Sequence, residues 1–178
     1  MKKLLTCLAL LAWAFRAQAY ELVATVSMDE DEKWHFDIEL ADNDIDFTAF
    51  QLDITLEGDA KLERKDLRSG QIMHRHSLML AAPQGRYRLM GYSLSGIVFK
   101  EKEGPLFSFT LDGDIRGIVI NGIFFIKPDG TKVEAAAGDD PDAQDAPEVV
   151  YDMKSRQVYR IDRRGICIRI EGNITPES

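Results

Sequence analysis

Apolar and polar residues alternate along most of this chain. LVATVSM places Leu22, Ala24, Val26 and Met28 on one side, and KWHFDIEL places Trp34, Phe36, Ile38 and Leu40 opposite Lys33, His35, Asp37 and Glu39. The same period runs through FTAFQLDITL, where Phe50, Leu52, Ile54 and Leu56 oppose Ala49, Gln51, Asp53 and Thr55. A period of two marks a strand with one buried face. Further runs of this kind, RHSLMLA, RYRLMGYSLS, GPLFSFTLDG and RGIVINGIFFI, are bounded by turn signals such as Pro83-Gln84-Gly85 and Asp112-Gly113-Asp114. No segment carries a long apolar repeat at helical spacing, and KLERKDLRSG fits either one helical turn or an edge segment. Strands about every 10 residues without helical crossovers predict an all-β chain of two antiparallel sheets packed face to face.

The composition changes at Glu134. From there to Glu148 the chain reads EAAAGDDPDAQDAPE, with four Asp, two Pro and nothing apolar larger than Ala. Such a segment buries too little to offset its ordering entropy, so residues 136–148 are expected to form a linker after a body at 20–135. Beyond it, VVYDMKSRQVYRIDRRGICIRIEG has strand-like runs at 149–153 and 157–161, then Ile166, Ile168 and Ile170 alternating with Cys167 and Arg169. A C-terminal β segment over 149–178 follows from that pattern. So short a hairpin is marginal by itself, so it is expected either to dock, on its own domain or on another acidic body, or to stay dynamic.

The first 19 residues, MKKLLTCLALLAWAFRAQA, have two lysines, an apolar run and the small-x-small ending Ala17-Gln18-Ala19. This is the form of a secretory signal peptide, and the expected location is periplasmic, extracellular or cell-surface. No later segment approaches the ~18 consecutive apolar residues of a membrane span. Cleavage after Ala19 leaves Cys167 as the single cysteine, so the body depends on its core and not on an internal disulfide. It also leaves 19 basic against 30 acidic side chains, a balance that disfavours nucleic acid and anionic membrane surfaces. Charge divides the remainder: residues 20–148 hold 13 basic and 26 acidic side chains, and residues 149–172 hold six basic and three acidic. The tail is therefore attracted to the body.

FTAFQLDITLEGDAKL, RHSLMLAAPQGRYRLMGYSLS and GPLFSFTLDG together resemble a cohesin-like module of secreted bacterial proteins, over about residues 22–133. The resemblance implies a jelly-roll sandwich of about nine strands, related to carbohydrate-binding modules. It also implies a non-catalytic interaction module whose partner is a protein, dockerin-like or other, in polysaccharide-related assemblies. The alternative is a carbohydrate-binding module that uses loop residues. VVYDMKSRQV and RRGICIRIEG are similar to a short C-terminal sorting-type segment, with Ser155 in place of the turn glycine and Cys167 in place of a tyrosine.

Candidate chemistry is sparse. His74 and His76 would share a face if their segment were a strand, but SLMLAAPQG supplies no carboxylate to complete a metal site. Asp42, Asp44 and Asp46 stand at the alternate positions of a calcium loop, yet Phe47 occupies the place where such a loop turns on glycine. The sequence has no nucleophile elbow and no phosphate-cradling glycine loop, and it implies no cofactor and no catalytic residue. Trp34 shares its parity with core residues, which removes the flat exposed ring that polysaccharide stacking requires. The remaining candidate is the open side of FTAFQLDITL, where Gln51, Asp53 and Thr55 form a polar sheet face for a protein partner or polysaccharide.

Overall fold

The computed structural model describes residues 20–134, 148–152, 157–161 and 165–171. The leader segment 1–19 and residues 135–147, nearly all of the expected linker, lie outside the described residues. Nine strands precede residue 135: β1 (Glu21–Met28), β2 (Trp34–Ala41), β3 (Ala49–Gly58), β4 (Leu67–Ser69), β5 (Ser77–Ala81), β6 (Tyr87–Tyr92), β7 (Gly104–Leu111), β8 (Ile115–Ile126) and β9 (Lys132–Glu134). Three more follow: β10 (Glu148–Asp152), β11 (Gln157–Ile161) and β12 (Ile166–Glu171). The first sheet runs β11-β1-β2-β7-β4 and the second β10-β12-β8-β3-β6-β5, with β9 also paired to β8.

Alternation in the sequence becomes the core directly. Leu22, Ala24 and Val26 of β1, Trp34, Phe36, Ile38 and Leu40 of β2, and Phe50, Leu52 and Ile54 of β3 are all buried. Rings fill the space between the layers: Phe36 stacks on Phe109, its neighbour in the first sheet, at 4.7 Å, and Phe50 of the second sheet stacks on Phe107 of the first at 5.5 Å. Trp34 belongs to this core, as its parity requires.

Strand β8 departs from simple alternation. Ile118 and Ile120 are buried, and so are Ile123 and Phe125, which have the opposite parity. The shift occurs at Asn121-Gly122. Asp53 pairs with Asn121 but Gln51 pairs with Phe124, so one β3 residue opposes two on β8. That is a β-bulge, and Gly122 takes the left-handed φ of +61° that it needs. The bulge lets one long strand bury both halves of IVINGIFF.

Several segments are set more narrowly than periodicity alone suggests. KLERKDLRSG holds both of its readings in series, a 3-10 turn at Arg64–Asp66 and then the edge strand β4. RHSLMLA enters the sheet only at Ser77, because Gln71–Met73 form a 3-10 turn and His74 and Arg75 continue that turn. RYRLMGYSLS leaves its strand at Tyr92.

The tail strands lie in the two sheets. β11 runs antiparallel to β1, with Ala24 opposite Tyr159 and Leu22 opposite Ile161, while β12 runs antiparallel to β8, with Ile168 opposite Ile118 and Ile166 opposite Ile120. Tyr159, Ile161, Ile166 and Ile168 are buried between the layers. Gly165 marks the closest approach: a Cβ there would stand 1.6 Å from the Ile120 carbonyl oxygen, and its φ is +83°. Arg160 pairs with Glu21, and Arg169 pairs with Glu57 of β3. Opposite charge and apolar burial thus act together at this seam. β10 and β12 are the parallel exception in the second sheet. The intervening strand β11 sits in the other layer, and a crossover of that kind brings the chain back in the same direction.

Candidate functional site

The outer faces of the two sheets differ in character. On the first, the outward positions include Val23, Thr25 and Ser27 of β1, His35, Asp37 and Glu39 of β2, Ser108 and Thr110 of β7, and Val158 of β11, which is 64% exposed, a largely polar surface that includes two valines. Asp29 caps the turn into β2. Its carboxylate accepts the N–H groups of Asp31 and Lys33 at 2.9 Å and His35 Nε2–H at 2.7 Å, and His35 Nδ1 accepts the Thr110 hydroxyl at 3.2 Å. The hydrogen bond from His35, supported by those backbone donors, holds the Asp29 carboxyl below the usual range. This chain of bonds fastens the turn to the sheet.

The second sheet carries an apolar centre on its outer face. Across β5, β6, β3, β8 and β9, the register aligns Met79, Met90, Gln51, Phe124 and Glu134 in one row. The neighbouring row aligns Ser77, Tyr92, Ala49, Ile126 and Lys132. Met79 is 41% exposed, and Met90, Tyr92, Phe124 and Ile126 are half-buried. Two ion pairs border this patch, Arg88 with Asp53 and Lys132 with Glu134. Lys132 Nζ also lies 4.3 Å from the centre of the Phe124 ring, a cation–π contact.

Asp53 lies at one edge of this patch. It faces outward by parity, yet it is only 5% exposed. Arg88, directly opposite on β6, donates from Nε at 2.7 Å to one carboxylate oxygen and from Nη2 at 2.9 Å to the other. Arg86 adds a longer contact at 3.5 Å. The Arg88 hydrogen bond outweighs burial and holds the Asp53 carboxyl below its usual range, and it raises Arg88 in turn. Beside the pair lies a cavity of about 440 Å3 lined by Gln51, Asp53, Arg88, Gly122, Ile123, Phe124, Lys132 and Glu134. The β8 bulge shapes its wall, since Gly122 presents no side chain toward Asp53.

The residues singled out by sequence are placed unequally. Gln51 and Asp53 both line the cavity, whereas Thr55 lies further along β3, opposite Val119. Asp53 is a covered half of an ion pair, which corrects its reading as an open polar position. Asp42, Asp44 and Asp46 surround a loop held from inside by Asn43, whose side-chain amide donates to the carbonyls of Ile45 and Lys102. Arg160 stands 3.9 Å from Asp42, and Lys102 stands 3.9 Å from Asp46 while its ammonium bonds the Asp44 carbonyl, so basic side chains already meet these acidic groups. Among the described residues no three or more His, Cys, Asp or Glu side chains are grouped to hold a metal ion. His74 and His76 do not share a strand face. His76 Nε2–H donates to the Ile97 carbonyl at 2.9 Å and its ring packs edge-on against Phe99, and burial lowers its pKa.

Sequence reasoning missed Arg88, Lys132 and Phe124. RYR does place Arg86 and Arg88 on one side of a strand, and the dipeptide Asn121-Gly122 is the local sign of a bulge.

Several cohesin modules are among the solved structures similar to this chain. A non-cellulosomal cohesin from Archaeoglobus fulgidus is 12% identical, with 80% of this chain and 83% of that chain covered and a TM-score of 0.48. A cohesin module from a Clostridium perfringens family 33 glycoside hydrolase is 10% identical, with 84% and 98% covered and a TM-score of 0.49. The sixth cohesin of Acetivibrio cellulolyticus scaffoldin B, solved in complex with a dockerin, is 9% identical, with 86% and 99% covered and a TM-score of 0.46. No protein-family model and no curated protein sequence matches the chain.

Proposed function

We propose that this protein is a non-catalytic, secreted or cell-surface interaction module that binds a protein partner through the outer face of its second sheet. One observation carries this reading: the contrast between the two outer faces. The first sheet presents mainly hydroxyls and charges, with Val23 and Val158 among them, whereas the second gathers Met79, Met90, Tyr92, Phe124 and Ile126 beside the Arg88–Asp53 and Lys132–Glu134 ion pairs. An apolar, aromatic- and methionine-containing centre with a polar rim is the anatomy of a protein interface. The resemblance of AFQLDITL, YRLMGYSLS and GPLFSFTL to cohesin-like modules supports the same reading. It points to a dockerin-like or other partner in a polysaccharide-related assembly. Export rests on the leader-like residues 1–19, and no helix among the described residues is long and apolar enough to cross a membrane. The alternative of glycan binding by loops has no exposed tryptophan in its favour, since Trp34 is buried.

The test is affinity capture from the native secretome with residues 20–178, run beside a glycan array. Retention of a defined protein, without glycan binding, is the expected outcome. Specific retention on glycans with no protein partner would overturn the proposal.

A further inference from the structure

The polar groups around the cavity define what a partner must bring to it. The two carboxylates there already have cationic partners: both Asp53 oxygens receive Arg88, and the Glu134 carboxylate is paired with Lys132. Donors are in surplus. Arg88 gives Asp53 only its Nε and Nη2, so the rest of its guanidinium fork is unspent among the described residues, and the Lys132 ammonium is half exposed. Arg86, 45% exposed, approaches Asp53 at 3.5 Å without a hydrogen bond.

Charge points the same way. Around the cavity, among the described side chains, three cationic groups, Arg86, Arg88 and Lys132, stand against two acidic ones, Asp53 and Glu134. The cavity rim is thus locally cationic on a chain whose residues 20–148 carry twice as many acidic as basic side chains. An acidic partner is repelled by most of this protein and attracted here. Like-charge repulsion elsewhere and attraction at one place fix orientation as well as contact.

Resting on the reading of this face as the partner surface, we infer that the partner inserts a carboxylate side chain, Asp or Glu, into the cavity beside Arg88 and Lys132. Its apolar residues cover Met79, Met90 and Tyr92. The cavity, about 440 Å3, has ample room for one such side chain. Hydrogen bonds to the guanidinium and ammonium groups would be charge-assisted and directional, and Phe124 and Ile123 supply the apolar walls that strengthen them.

The experiment selects binders to residues 20–178, which contain every described strand, from a displayed library of small helical scaffolds with one randomised surface. Clones that lose binding on Met90→Lys are assigned to this face. Among them, one position should be fixed as Asp or Glu, and its conversion to Asn or Gln should weaken binding about tenfold or more. Lys132→Glu and Arg86→Glu should each weaken the same clones, and a Lys placed at the fixed position should restore binding to Lys132→Glu. Both substitutions fall on exposed side chains and leave the Asp53–Arg88 pair intact. Face-binding clones that need no acid, or that need Lys or Arg, would overturn the inference and leave the interaction face standing. Clones that all bind elsewhere would sink the face itself and this inference with it.

Discussion

At the residue scale, the Asp53–Arg88 pair shows what a strand pattern can and cannot reveal. Parity correctly put Asp53 on the outer side of β3. It could not show that Asp53 is buried there, because the covering group comes from a different strand, 35 positions further along the chain. Breaking such a pair strands a charge. Arg88→Ala should therefore lower the midpoint of urea unfolding, because it leaves the Asp53 carboxylate covered and poorly paired. The pH dependence has a definite sign. The folded-state pKa of Asp53 is depressed, chiefly by the Arg88 hydrogen bond, so its stabilisation is present above the unfolded carboxylate value of about 3.9 and is lost as pH falls through the folded value. The melting-temperature gap between the wild type and Asp53→Asn should be wide at neutral pH and close progressively in acid below about pH 4. A gap that stayed constant would show that the pair contributes shape and not charge. Asp53 is consequently a poor choice for testing the surface, since its loss would mix folding with binding.

At the element scale, most strands were legible because one face of each is buried and the other is wet. β1, β2 and β3 follow the alternation residue by residue, and β11 and β12 fall where VYRI and ICIRI predict. Two features escaped that reasoning. The bulge in β8 changes parity mid-strand, so a single period cannot describe RGIVINGIFFI, and the glycine that permits it is the only local sign. Gly122→Val should destabilise by about 1–2 kcal/mol, because a β-branched residue resists the left-handed conformation. The second feature is how the tail docks. Its basic charge and its alternation were visible, but its division between two sheets depends on which edges the body leaves open, namely those of β1 and β8. Tyr159, Ile161, Ile166 and Ile168 are each worth about 1.5–3 kcal/mol of burial before ordering costs. Removing residues 149–178 should lower the melting temperature by about 10 °C, taking a net loss of about 3 kcal/mol and 2–4 °C per kcal/mol. An unchanged melt would mean that the seam contributes nothing to stability.

At the scale of the whole molecule, the sandwich places two outer surfaces of different character back to back. The core between them comes from patterned hydrophobics, and that part of the fold was open to sequence reasoning almost entirely. The site was half open. Gln51 and Asp53 were found from one strand, whereas the apolar row through Met79, Met90 and Phe124 exists only once β5, β6, β3 and β8 are in register. No single segment contains it. The central claim is that this row, and not the opposite face, meets the partner. It is tested most directly by the dissociation constant of the captured partner for the wild type and for two variants of equal charge change. Gln51→Arg with Met90→Arg should weaken binding about 100-fold, and Thr25→Arg with Ser108→Arg on the first sheet should stay within about twofold. Full affinity in the first variant together with loss of binding in the second would contradict the account.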